Sequence, residues 1–99
     1  MKWIELIRVR SSGATLRAAL PSLTEQIHEL ERSRPDVETH FLQHALYDGD
    51  LAVVVIWRGG APAAKTREGF LVAQSLEGLG TVDHAVWIPT NEPLHEPRK

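Results

Sequence analysis

The chain has 99 residues and a formal charge of −2, with 42% apolar and 24% charged side chains. That is the balance of one ordinary globular domain, whose core is thin unless a partner adds to it. The slight acidity argues against nucleic acid as a partner, which needs a basic field, and no cysteine is present to form a disulfide, a thiolate metal site or a thiol nucleophile. No stretch approaches the roughly 18 apolar residues of a membrane span, and Met1-Lys2-Trp3-Ile4-Glu5 becomes charged too soon for a secretory leader. A cytoplasmic protein with no membrane partner is expected.

Residues 2–10, KWIELIRVR, predict a first strand, β1, in which Ile4, Leu6, Ile7 and Val9 place apolar groups on both faces. Ser11-Ser12-Gly13 ends it. Over 14–33 the apolar positions Leu16, Leu20, Leu23, Ile27 and Leu30 step by four and three, the stripe of an amphipathic helix, α1. Pro21 removes a backbone hydrogen bond inside it, and Ser22-Leu23-Thr24-Glu25 has the form of a capping box. A short first piece, a kink and a main helix from about Leu23 are therefore predicted.

Two β-rich runs, β2 (37–46) and β3 (51–58), flank Tyr47-Asp48-Gly49-Asp50, a strong hairpin signal. A two-residue turn at Asp48-Gly49 sets His40, Leu42, His44 and Leu46 opposite Trp57, Val55, Val53 and Leu51 on one face. On the other it sets Thr39, Phe41, Gln43 and Ala45 opposite Arg58, Ile56, Val54 and Ala52. Gly59-Gly60 ends β3 and, lacking a following Lys-Ser/Thr, reads as a turn and not a phosphate loop. Pro62 suits the first turn of a second helix, α2 (62–79), which stops at Gly80. β4 (81–88) closes at Pro89, leaving 1–89 as a single domain and 90–99 as an extended C-terminal tail.

The order βαββαβ with right-handed crossovers gives a ferredoxin-like α+β fold: a four-stranded antiparallel sheet with two helices on one face and β1 and β3 at its centre. The run Leu51-Ala52-Val53-Val54-Val55-Ile56 is apolar without alternation, as in strands buried on both faces. Two helices cover one face only, so a homodimer through the other sheet face is the economical expectation.

With that layout, and with Val55-Ile56-Trp57-Arg58 running toward a helix at Ala63, the chain resembles the dimeric α+β barrel superfamily over roughly residues 2–88. The branch it resembles is that of the antibiotic-biosynthesis-monooxygenase-like domains. The resemblance implies a homodimer with facing sheets and a pocket between sheet and helices in each subunit. It also implies activities that include cofactor-independent oxygenases acting on aromatic substrates, and haem degraders. The chain has no Asn–Trp–His set at the haem degraders' spacing and no histidine in 65–80, so haem is not an expected cofactor, nor is any other.

His40, His44 and Trp57 form the sharpest local constellation. Positions 40 and 44 lie about 13 Å apart along a strand, too far to share a metal. His40 opposed to Trp57 would instead wall a pocket in which the imidazole moves a proton as the catalytic group. Trp57, His44, Tyr47 and Arg58 would bind the substrate, a small aromatic ligand; Arg58 suits an anionic group or an ion pair with Glu5 or Asp83 across a two-fold. Against this stands the plainer reading, in which His40 sits at the sheet edge and Trp3, Trp57 and Trp87 fill core or interface. His84, on the outer strand β4, is expected to face solvent, and His28 and His95 carry no assigned role. The alternative to an enzyme is a non-catalytic dimeric module that binds a ligand or partner.

Overall fold

Alternation along the first strand decides how the domain is layered. In the computed structural model, which describes residues 2–60 and 66–89, Trp3, Glu5, Ile7 and Val9 of β1 (Trp3–Arg10) are buried, while Ile4, Arg8 and Arg10 between them are exposed. β1 lies at the centre of a four-stranded antiparallel sheet of order β2-β3-β1-β4, formed with β2 (Val37–Gln43), β3 (Asp50–Trp57) and β4 (Thr81–Trp87). The helices α1 (Gly13–Ser33) and α2 (Arg67–Glu77) cover the face that carries those four buried residues. The core packs Leu16, Leu23, Ile27 and Leu30 of α1 and Val72, Ala73 and Leu76 of α2 onto Ile7, Val9, Leu51, Val53 and Val55. The ferredoxin-like α+β order is the one the sequence predicts, with β1 and β3 central.

The first helix runs without a break. Ser12 caps it, its hydroxyl accepting the Thr15 N–H at 3.1 Å, and Pro21 sits inside on the exposed side. The carbonyl that the proline deprives of a donor lies on the exposed side, and the predicted restart at Leu23 does not occur. The second helix starts later than predicted, at Arg67 behind its cap Thr66; Pro62, taken as its first turn, lies outside the described residues, as do His95 and the rest of 90–99.

The β2–β3 hairpin departs most. Val37 pairs with Trp57, His40 with Val54 and Gln43 with Leu51, three residues away from the predicted register. Three is odd, so every β2 side chain changes face relative to β3. Asp48 and Gly49 do form a turn, in which the Tyr47 carbonyl accepts the Asp50 N–H at 3.2 Å. Neither has the positive φ of a primed two-residue turn, Gly60 being the one described residue with positive φ. The strands instead part at Gln43, and His44 Nδ1 accepts the N–H groups of Leu46 and Tyr47. The loop docks on the β1–α1 corner through a 2.8 Å bond from the Ser11 N–H to the Gly49 carbonyl, so close that a Cβ at Gly49 would overlap the Ser11 carbonyl.

The uncovered face is apolar at one end of the strands and charged at the other. Ile4 meets Trp87 and Ile56, and Leu6 meets Ala85 and Val54; Ile4 and Trp87 remain 38% and 60% exposed. Toward the hairpin the same face carries the ion pairs Arg8–Asp83 and Arg10–Asp50.

Candidate functional site

The inward set of β1 contains one acid. Glu5 is fully buried, and a buried carboxylate is tolerable only where its oxygens are filled by donors. Oε1 accepts from Trp57 Nε1–H at 3.1 Å and from the Thr66 hydroxyl at 2.7 Å. Oε2 accepts from the Thr66 backbone N–H at 3.0 Å and lies 2.6 Å from His84 Nε2. Thr66 is the N-cap of α2 and its hydroxyl takes the Gly69 N–H at 2.8 Å, so its own proton points to Glu5. The acid therefore holds the start of the helix to the sheet, with its charge at the positive end of the helix dipole. Gly69 makes room: a Cβ there would fall on the carboxylate.

Aromatic groups wall this cluster. Trp3 stacks on Trp57 with ring centroids 5.3 Å apart and planes 12° from parallel, and its indole N–H donates to the Gly59 carbonyl at 3.1 Å. The Arg34 guanidinium stands 4.8 Å from the Trp57 ring centre. It is held there by Glu68 at 2.8 Å and Asp36 at 3.4 Å. His84 projects from β4 on the helix side, opposite Ile7, with only 6% of its side chain exposed; an edge strand has two faces, and its inner one lies under α2 rather than in solvent.

The residues predicted for the site are not brought together. His40 pairs with Val54 on the uncovered face, while Trp57 points the other way into the core, because the register shift reverses β2. His40 is half exposed and bonded to Glu38 at 2.7 Å. Glu38 also pairs with Arg58, so Arg58 shares a face with Glu38 and not with Thr39 or Phe41, and Glu5 is out of its reach. Between the two bases, Glu38 is held below the usual carboxylate range, first by the His40 hydrogen bond and then by Arg58. His44 and Tyr47 pack ring to ring at 4.9 Å in the hairpin loop, at the opposite end of β3 from Trp57, about 23 Å away at 3.3 Å per residue. His44 borders an open cavity of about 450 Å³ on the uncovered face, with Arg8, Arg10 and Asp83. Trp87 is exposed on that face, apart from the other two tryptophans.

Glu5 and His84 lie outside the site predicted from the sequence, although the sequence carries a signal for both. Trp3, Glu5, Ile7 and Val9 alternate, as do Val82, His84 and Val86, and strict period-two reading of both strands turns the acid and the base inward together.

No family model matches the sequence, and no curated protein matches it. Among solved structures, Rv0793 from Mycobacterium tuberculosis superposes with a TM-score of 0.62 at 16% identity, over 93% of this chain and 98% of that one. SnoaB, a cofactor-independent oxygenase from Streptomyces nogalater, superposes with a TM-score of 0.53 at 14% identity, over 96% of each chain. A point mutant of the same oxygenase gives 0.57 at 14% identity, over 96% and 98%. The chain shares the α+β fold of these solved structures. Its four-stranded antiparallel sheet is not closed. Among the described residues no helix is long and apolar enough to cross a membrane.

Proposed function

We propose that the chain is a small homodimeric enzyme of the monooxygenase-like kind, which acts on a planar aromatic substrate at the Glu5–His84 pair. The observation that carries this reading is the Glu5–His84 pair, a buried acid and base beside stacked indoles in an otherwise apolar interior. Fastening α2 to the sheet accounts for the acid and its Thr66 bonds but does not require a base set against it, and burying the pair is costly. The likeness in fold to a cofactor-independent oxygenase supports the reaction class, although fold by itself does not carry function.

In such a reaction the substrate supplies the electrons. A base removes a C–H proton, the carbanion reduces O₂ and bonds to it, and loss of water leaves a carbonyl, one O₂ being consumed for one C=O and one H₂O formed. The uncovered apolar half-face supports dimerisation, a second copy being the cover that matches Ile4, Leu6, Ile56 and Trp87 with themselves. The absence of cysteine is consistent with a cytoplasmic setting.

The test is oxygen uptake by metal-free, cofactor-free protein on a panel of planar aromatic carbon acids, with sedimentation velocity alongside. Turnover above buffer and a dimer at micromolar concentration are expected; a stable monomer or oxygen uptake equal to buffer would refute the respective half.

A non-catalytic dimeric module is favoured by a different observation. Trp57 is 2% exposed beneath Trp3, and it borders neither the 450 Å³ cavity nor a second one of about 580 Å³ between α1 and α2. On that reading the panel gives no turnover, and the Glu5 network serves only to fasten α2.

A further inference from the structure

We infer that His84, oriented by Glu5, is a general base whose working atom is Nδ1; this rests on the enzyme reading above and assigns the proton-abstracting group within it. The hydrogen-bond network is the basis for assigning which way the ring's proton points. The Trp57 indole and the Thr66 amide can only donate, and the Thr66 hydroxyl accepts from Gly69 and donates to Glu5, so Glu5 accepts three hydrogen bonds, the pattern that suits a carboxylate. The fourth group, His84 Nε2 at 2.6 Å, completes the set as a donor. With Nε2 protonated the neutral ring keeps its lone pair on Nδ1, which has no hydrogen-bond partner among the described residues.

That is the division of labour of a carboxylate–histidine pair in acyl-transfer enzymes: the acid fixes tautomer and direction, and the far nitrogen takes the proton. The imidazolium formed would stand against a carboxylate already in place, so little has to reorganise when the proton arrives. Of the other described histidines, His28 is exposed on α1, His40 is bonded to Glu38 in half-exposed surroundings, and His44 spends its Nδ1 on the loop backbone. None has a buried orienting acid. The substrate class follows from the neighbours: a neutral planar carbon acid, since the buried acid would repel an anion and the nearby guanidinium of Arg34 is already paired with Glu68 and Asp36.

The experiment uses 5-nitrobenzisoxazole, a planar carbon acid that requires no oxygen. Proton transfer from its C3–H to Nδ1 sends the C–H electron pair into a nitrile while the N–O bond breaks to a phenolate, whose colour reports the rate. General-base catalysis contributes about 10²–10⁴-fold. The wild-type protein is therefore expected to exceed buffer by at least about 10²-fold, His84→Gln to fall to the buffer rate, and His28→Gln to match wild type. Glu5→Gln is expected to lose roughly ten-fold or more while circular dichroism shows an intact fold. Long-range ¹H–¹⁵N spectra should show His84 as the Nε2–H tautomer in the wild type and as a mixture in Glu5→Gln.

The assignment is overturned if the wild type does no better than buffer, if His84→Gln retains the rate, or if His84 carries its proton on Nδ1. Proton abstraction from this probe together with no oxygen uptake on the aromatic panel would leave the base standing and remove the oxygenase.

Discussion

Replacing Gly69 by alanine puts the packing around Glu5 to a quantitative test. Gly69 is the third residue of α2, and an added Cβ would lie 2.7 Å from Glu5 Oε1 and closer still to Cδ and Oε2. The end of a long side chain ordinarily swings away from such an intrusion. This one is fully buried and held by donors from β3, β4 and the cap of α2. Hydrogen bonds to a charged group contribute about 1.5–3 kcal/mol each, so surrendering two of the four costs about 3–6 kcal/mol. Against that, alanine gains about 0.8–1.0 kcal/mol over glycine in a helix. The net expectation is destabilisation by about 2–5 kcal/mol, and for a domain of this size each kcal/mol lowers Tm by roughly 4–8 °C. Urea denaturation followed by far-ultraviolet circular dichroism measures it. In a Glu5→Ala background the obstruction is gone, and Gly69→Ala should become stabilising by up to about 1 kcal/mol. A Gly69→Ala protein as stable as the parent would refute the claim that the carboxylate is immobile.

Pro21→Ala should raise stability by about 1–3 kcal/mol in the same urea assay, because proline is disfavoured by about 3 kcal/mol inside a helix and its ring here is on the exposed side. Glu38, whose carboxyl is held below its usual range by His40 and Arg58, contributes stability that is fully present above the ordinary glutamate range. That contribution disappears as pH falls through the lowered folded value; Glu38→Gln should therefore lower Tm slightly at neutral pH, leave it little changed in acid, and so flatten the acid limb of a Tm-against-pH curve. Trp87→Glu places a charge on the apolar half of the uncovered face and should convert the proposed dimer to monomer by sedimentation velocity, with the helix content intact.

Layer order was legible in the sequence because it depends on long, strongly patterned segments. Leu16, Leu23, Ile27 and Leu30 declare α1 whatever Pro21 does locally, and the apolar run of β3 places it at the sheet centre. Site composition was not legible, because it turned on parity. Register in a hairpin follows from turn geometry, and Asp48-Gly49 carries the residues of a primed turn without adopting one: the loop is shaped by its bond to Ser11 and by His44, partners remote from or internal to the loop that no two-residue signal encodes. An odd slip then exchanged His40 for Thr39 on the helix side. Glu5 and His84 belong to strands 79 residues apart in sequence, and only the pairing of β1 with β4 makes them neighbours.

That separation also bears on how the native state comes apart. The carboxylate's donors stand 52, 61 and 79 residues downstream of it, so no contiguous fragment shorter than nearly the whole domain holds them all. During synthesis the acid must stay hydrated until the last strand has left the ribosome. Once the chain is closed, detaching either the outer strand or the start of the second helix strips donors from that charge. Partial opening at this point is therefore penalised, and the amide proton of Thr66 should exchange with solvent more slowly than is usual for the start of a helix.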